Sequence, residues 1–337
     1  MAIYRASELP AEDLAGQRVV VGFDGQRFND DLRDLIGGLR VGGIILFSRN
    51  IDHPEQVAAL CSEAQAYAES QGLPPLFIAV DQEGGVVARL KAPHFTEFPG
   101  APFLRDPDDA RHFARVTARE LRSVGFNMDM APVMDVAPAE RESVMTRRVF
   151  GTAPEQVAKI GRTVIESLQA AGVMAVAKHF PGIGRTTLDS HIDRPFMDAP
   201  AEAIDAFELP PFEAAISADV AGIMLSHIVY ERLDPRWPAS LSPAIARELL
   251  RNRMRYKGVV MTDDLDMGAI ARHYDIRTVV RQILDADIDL ALICHKGPNP
   301  AIAVETIRDR IREDGAMQER AVASVRRILS LKNRYIA

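Results

Sequence analysis

The chain has 337 residues, 47% of them hydrophobic, enough for a sizeable buried core in one large domain or two modest ones. Its 47 acidic and 40 basic residues give a net charge of −7 with no long block of like charge, which argues against a nucleic-acid partner. The opening MAIYRASELPAEDLAG lacks an apolar core of signal-peptide length, and no later stretch approaches the ~18 apolar residues of a membrane span, so a cytoplasmic protein without a membrane partner is expected.

Short apolar runs recur along the chain: VVVGF from Val19, GGIILF from Gly42, LFIAVD from Leu76 and FNMDMAP from Phe126. Four more follow: VMAVAKHF from Val173, GIMLSH from Gly222, VVMTDD from Val259 and LALICH from Leu290. Their lengths and flanks suit buried parallel strands. Helix signals stand between them. Asp106-Pro107 and Ser242-Pro243 read as N-cap and first turn, and Thr152-Ala-Pro-Glu155 reads as a capping box. Gly72, Gly125, Gly172 and Gly258 are placed as left-handed residues that end helices before strands. After the eighth run one helical segment remains, about 301–335. Eight βα alternations in one chain predict an α/β protein, a single-domain (β/α)8 TIM barrel over residues 1–337; no GxGxxG or P-loop follows the first strand to favour an open nucleotide-binding sheet.

In such a barrel the active site lies at the carboxyl ends of the strands. The third run ends in Asp81-Gln-Glu-Gly-Gly, the fourth leads to Asp135, and the fifth ends in Lys178-His179. The sixth ends in Ser226-His227, the seventh in Thr262-Asp263-Asp264, the eighth in His295-Lys296. Six polar ends converging on one rim predict a polar site. Asp263 and Asp264 alternate in facing, so one of them is a candidate nucleophile and the other is a candidate for capture by helix amides. In KHFPGIGRTTLDSH, from Lys178, residues two apart in an extended loop face the same way, which lets Asp189 fix the tautomer of His191 and raise its pKa. That dyad is a candidate acid/base, and loop residues 181–191 are expected to close over substrate. Arg89, Arg148 and Lys178 are candidates to hold a polar substrate, with Gly84-Gly85 allowing close backbone approach. Cys61 and Cys294 are far apart with no CxxC or Cys/His cluster, so neither structural zinc nor a disulfide is expected.

The motifs DQEGG from Asp81, RVFG from Arg148, KHFPGIGRTTLDSH and GVVMTDDLDM from Gly258 resemble bacterial β-N-acetylhexosaminidases of glycoside hydrolase family 3, in its single-domain branch. The resemblance runs from about Gly42 past the eighth run. It implies a retaining exo-enzyme without metal or cofactor, which removes terminal β-linked N-acetylglucosamine from muropeptides in cell-wall recycling. It implies Asp263 as nucleophile, His191 as acid/base assisted by Asp189, and Asp81, Arg89, Arg148, Lys178 and His179 as sugar ligands; His227 and Asp135 are further candidates. The partner so implied is a small carbohydrate; oligomeric state is left open. Ile183 and Val86 depart from the family's usual histidine and arginine, which touches aglycone preference. Three alternatives stay open: a phosphorylase, a zinc amidohydrolase-like barrel using His179, His227 and Asp263, and an inactive sugar-binding homologue.

Overall fold

The computed structural model describes residues 4–140, 142–187 and 194–336. All eight apolar runs form strands: β1 (Val19–Val21), β2 (Gly43–Leu46), β3 (Phe77–Val80), β4 (Met128–Asp129), β5 (Met174–Phe180), β6 (Gly222–Leu225), β7 (Val259–Asp264) and β8 (Leu290–Ile293). They pair in chain order, all parallel. β1 closes the ring by pairing with β2 through Val20↔Gly43 and with β8 through Val19↔Ala291. Helices run between the strands, so the fold is a (β/α)8 barrel.

Strand alternation divides the core in two. Val20, Ile45, Phe77, Met128, Met174, Val176, Met224, Met261 and Leu292 point inward and fill the barrel. Their neighbours Val19, Val21, Ile44, Leu46, Ile78, Val80 and Ala175 point outward against helices such as Pro54–Ser70 and Pro154–Ala170. Lys332, on the last helix (Gly315–Tyr335), plugs the amino-terminal end: its buried ammonium nitrogen donates to Gln17 Oε1 (2.7 Å) and the Gly42 carbonyl (2.8 Å). Among the described residues no helix is long and apolar enough to cross a membrane.

The register breaks in two places, between Ala177 and Phe180 on β5 and between Met261 and Asp264 on β7. Both breaks lie at carboxyl ends, where strands stop serving the ladder and turn side chains into the mouth. β4 is short, but its chain continues alongside β5, with Val133 bridged to Lys178 and the Met134 amide donating to the Lys178 carbonyl, which delivers Asp135 to the rim.

Two local expectations fail, each for a steric reason. The helix expected to open at Thr152 opens at Pro154, with Ala153 as an N-cap that makes no side-chain bond. Proline favours the first helical position, so in TAPE the cap falls on the alanine and Thr152 lies one residue too early. In Asp106-Pro107 the same rule puts the carboxylate at the cap, where it accepts from the Asp108 and Asp109 amides (2.8 and 3.0 Å). Ser242 also caps as expected, accepting from the Ile245 amide (3.1 Å). Gly72, Gly125 and Gly172 have φ of +68°, +93° and +82° as expected, but Gly258 does not join them. The π-type segment Ala244–Arg253 ends earlier, and Arg255 takes the left-handed position at φ +59°. Gly258 is required instead by Tyr256, whose hydroxyl would stand 2.3 Å from an added Cβ.

Candidate active site

A cavity of about 590 Å³ opens at the carboxyl ends of the strands, within the roughly 300–1,000 Å³ of small-ligand sites. Met130, Met224, Ile45 and Leu292 form its apolar lining from the barrel interior, and Asp81, Arg89, Arg148, Lys178, His179, Asp263 and Asp264 reach it from strand ends and the following loops.

One side is an ion network. Lys178, 3% exposed in its side chain, places its ammonium 2.7 Å from Asp81 Oδ1 and 2.7 Å from Glu83 Oε1. Arg148 grips Glu83 with two bonds, Nη2 to Oε1 (2.7 Å) and Nε to Oε2 (2.9 Å), while Arg89 Nη2 reaches Asp81 Oδ2 at 3.3 Å. Burial alone would raise the Asp81 carboxyl, but Lys178 and Arg89 outweigh it and bring the pKa down to about 2. Burial opposes ionisation of Glu83 too, and Lys178 and Arg148 again prevail. Two carboxylates and three cations are thus fixed in charge, leaving a net positive wall of forked donors suited to hydroxyl and carbonyl oxygens.

Glu83 escaped the sequence reading, although it stands two residues from Asp81 in DQEGG and the period-two rule that paired Asp189 with His191 applies to it equally. Gln82, between them, points the other way and ties the adjoining hairpin, accepting from the Arg89 and Leu90 amides (2.8 and 3.0 Å). Behind the network Asp129 is buried. Its Oδ1 accepts from the Gln82 amide (3.0 Å), its Oδ2 has no partner among the described residues, and burial pushes its pKa well up.

Asp135, fully buried, accepts at Oδ2 from His179 Nδ1 (2.8 Å) and at Oδ1 from the Ile183 amide (2.8 Å) and the His179 amide (3.3 Å). A carboxylate that only accepts fixes the hydrogen on Nδ1, so Nε2 is the ring nitrogen that carries the lone pair. Asp135→Asn turns a donor toward Nδ1 and inverts that tautomer. It is expected to lower kcat/KM by about 10- to 100-fold with little change in Tm. Unchanged kcat/KM would show that His179 Nε2 is not used.

Asp263 and Asp264 are divided by their surroundings. Asp263 is held below the ordinary carboxylate range: burial works against it, but His227, His179, the Asp264 amide and Lys178 all favour its anion. Its Oδ1 accepts from that amide at 2.8 Å. Burial and repulsion from Asp266 and Asp263 push Asp264 up to about 6, even though the amides of Asp266 and Cys294 (3.0 and 3.1 Å) bond its Oδ1. Both carboxyls line the cavity, so alternation along β7 does not separate them; of the two, Asp263 is the one whose anion its surroundings favour.

His227 does not enter the cavity as a ligand. Its Nε2 donates to the Asp264 carbonyl (2.8 Å) and its Nδ1 bonds Ser240 Oγ (2.7 Å), so it braces the turn after Asp263. With both ring nitrogens engaged, the zinc set His179–His227–Asp263 is not assembled. The residues with metal-ligand spacing among those described are Asp264, Asp266 and His295, whose ligand atoms lie within 4.8 Å of one another at the mouth.

Asp189 and His191 lie outside the described residues. The expected closure of residues 181–191 over substrate thus falls in part outside the described residues, and the chain leading there is bonded to the barrel. The Gly182 amide donates to the His179 carbonyl (2.8 Å), the Ile183 amide to Asp135, and the Thr186 amide to the Ile183 carbonyl (3.0 Å). Arg185 forks onto buried Glu208, and a Cβ on Gly184 would sit 2.0 Å from the Val136 carbonyl. Ile183 is buried in the cavity wall and Val86 is 45% exposed.

Carboxylates and forked cations gathered at the mouth of a (β/α)8 barrel are an arrangement suited to glycoside hydrolysis. The chain belongs to glycosyl hydrolase family 3: the model of that family's N-terminal domain matches residues 11–331. A β-hexosaminidase of Alkalilimnicola ehrlichii is 36% identical over 294 residues, covering 84% of this chain and 82% of the relative, and one of Methylococcus capsulatus is 35% identical over 88% of each. Among solved structures, a family 3 β-N-acetylglucosaminidase from Paenibacillus sp. superposes with a TM-score of 0.93 at 37% identity over 97% of this chain, which spans 63% of that one. A β-N-acetylhexosaminidase from Beutenbergia cavernae superposes with a TM-score of 0.88 at 30% identity over 97% of this chain and 99% of its own.

Proposed function

We propose that residues 1–337 form a single catalytic unit, a retaining exo-β-N-acetylglucosaminidase that removes terminal β-linked N-acetylglucosamine from muropeptides in the cytoplasm. The observation that carries this reading is Asp263, a carboxylate at the carboxyl end of β7 whose pKa is held down, in a cavity it shares with Arg89, Arg148, Lys178 and His179. The names of the relatives support the sugar.

In this reading Asp81, Arg89, Arg148, Lys178 and His179 bind the hydroxyls and acetamido group of the non-reducing sugar. The Asp263 carboxylate attacks the anomeric carbon. The bond to the leaving oxygen breaks as His191, held by Asp189, gives that oxygen its proton, and a glycosyl ester to Asp263 results. His191 then takes a proton from water, whose oxygen displaces Asp263 with a second inversion, so configuration is retained. A histidine, with a reference pKa of ~6.5, performs both transfers near neutral pH without the large shift a carboxylic acid needs.

Nitrophenyl β-GlcNAc, β-GalNAc and β-glucoside, assayed in phosphate buffer, test the reaction and the sugar together. Preference for GlcNAc with free GlcNAc as product is expected. GlcNAc-1-phosphate as the main product would replace hydrolysis by phosphorolysis, and β-glucoside preference would overturn the sugar. A higher kcat/KM on a GlcNAc–anhydro-muramyl peptide than on N,N′-diacetylchitobiose is the expected result for the aglycone.

A further inference from the structure

Exposed large hydrophobic side chains are ordinarily scattered singly over a surface. Among the described residues they are Val86, Phe103, Val144 and Phe196, and all four stand on the loops after three consecutive strands, β3, β4 and β5. The same loops turn apolar side chains into the cavity: Val87 beside Val86, Val144 itself with Met145, and Ile183. This wall is held in place. Val87 belongs to the hairpin of Gln82–Gly84 with Val87–Ala88, the Val144 amide donates to the Thr186 carbonyl (3.3 Å), and the Ile183 amide donates to Asp135 (2.8 Å). Arg89 and Arg148, the cations that these loops bring to the cavity, are engaged with Asp81 and Glu83. The side formed after β7 and β8 carries Asp264, Asp266 and His295 instead.

Position decides what such a wall meets. Asp81 and Lys178 sit at strand ends, whereas Val87, Val144, Met145 and Ile183 come three or more residues past them, nearer the opening. In a ring of eight strands in chain order, β3 faces β7 across the barrel. A carboxylate displaces an aglycone from the opposite face of the sugar, so a leaving group driven off by Asp263 on β7 departs toward the loops of β3 and β4. We infer that Val87, Val144, Met145 and Ile183 form an aglycone-binding wall, which makes β-N-acetylglucosaminides with an apolar flank on the aglycone the preferred class of substrate. This rests on Asp263 as the nucleophile and adds to it the kind of leaving group. Val144 is the side chain on which the preference turns: it lines the cavity and is still 40% exposed, so a ligand can cover it.

Methyl and hexyl β-N-acetylglucosaminide release alcohols of similar acidity, so the ratio of their kcat/KM values reports contact with the aglycone rather than ease of bond breaking. In the wild type the hexyl-to-methyl ratio is expected to be about tenfold, the gain from covering about two methylenes. Val144→Ser should lower that ratio by about fivefold, and Val144→Leu, which keeps an apolar surface, should hold or raise it. Should Val144→Ser fail to fold, Val87→Ser is read the same way. A wild type that cleaves both glycosides without preference, or a ratio untouched by Val144→Ser, would overturn the wall and leave the glycosidase reading standing. No cleavage of either glycoside or of nitrophenyl β-GlcNAc would remove the glycosidase reading, and the wall's role with it. Sedimentation tests the other occupant: a dimer that Val144→Ser dissociates would give these side chains to a second copy of the chain and overturn their role toward the aglycone.

Discussion

Asp263→Asn is expected to lose about 10⁴-fold or more in kcat on aryl β-N-acetylglucosaminides, on the scale seen when a covalent nucleophile is removed. The substitution is nearly isosteric, and the amide oxygen still accepts from the Asp264 amide that bonds Oδ1 at 2.8 Å in the wild type. The fold and the sugar wall should therefore persist, and calorimetric affinity for GlcNAc should change little. What disappears is the anion that burial disfavours and that His227, His179 and Lys178 sustain. A neutral amide at this position offers no nucleophile to the anomeric carbon. A variant retaining a tenth or more of wild-type turnover would remove Asp263 from that role and pass it to Asp264, the other carboxyl that β7 brings to the cavity.

The barrel was legible because each strand is a short apolar run with both faces buried, a pattern that amphipathic surface strands do not produce. The location of the site followed from topology, since the carboxyl end of every strand reaches one rim. Which atoms engage at that rim was far less legible. His227 occupies the expected strand end, yet Ser240 and the Asp264 carbonyl, 13 and 37 residues away, consume both its nitrogens. Residues so distant in sequence leave no local spacing to read. Asp135 was marked only by its place after β4, and its grip on both His179 and Ile183 depends on the chain running alongside β5. Glu83 differs from these cases. Its alternation with Asp81 is visible in the sequence, but an acidic residue beside glycines is ordinarily solvated, whereas here two cations pair with it in the interior.

Those two buried carboxylates make Lys178→Met the variant with the largest expected effect on stability. Methionine fills the space of the lysine stem but leaves Asp81 and Glu83 without the ammonium that lies 2.7 Å from each. Arg89 and Arg148 remain, but each binds only one of the two. Breaking a buried ion pair by removing one partner costs about 3–5 kcal/mol, largely through the charge left behind, so Tm at pH 7 should fall by several degrees. The pH dependence separates this cause from a packing defect. In the wild type Asp81 is depressed from its ordinary value to about 2, and its contribution, about 2 kcal/mol, is present above the unfolded pKa and is lost as pH falls from about 4 through 2. In Lys178→Met the same carboxyls are raised, so their ionised forms destabilise the fold at neutral pH and protonation relieves them. The Tm difference between the two proteins should accordingly be widest near pH 7 and shrink toward pH 4. A gap that stays constant over that interval in thermal melts would trace the loss to packing and overturn the electrostatic account of the wall. The same variant should lose about 100-fold or more in kcat/KM, because the ammonium that orders Asp81 and Glu83 is also the one proposed to meet the sugar.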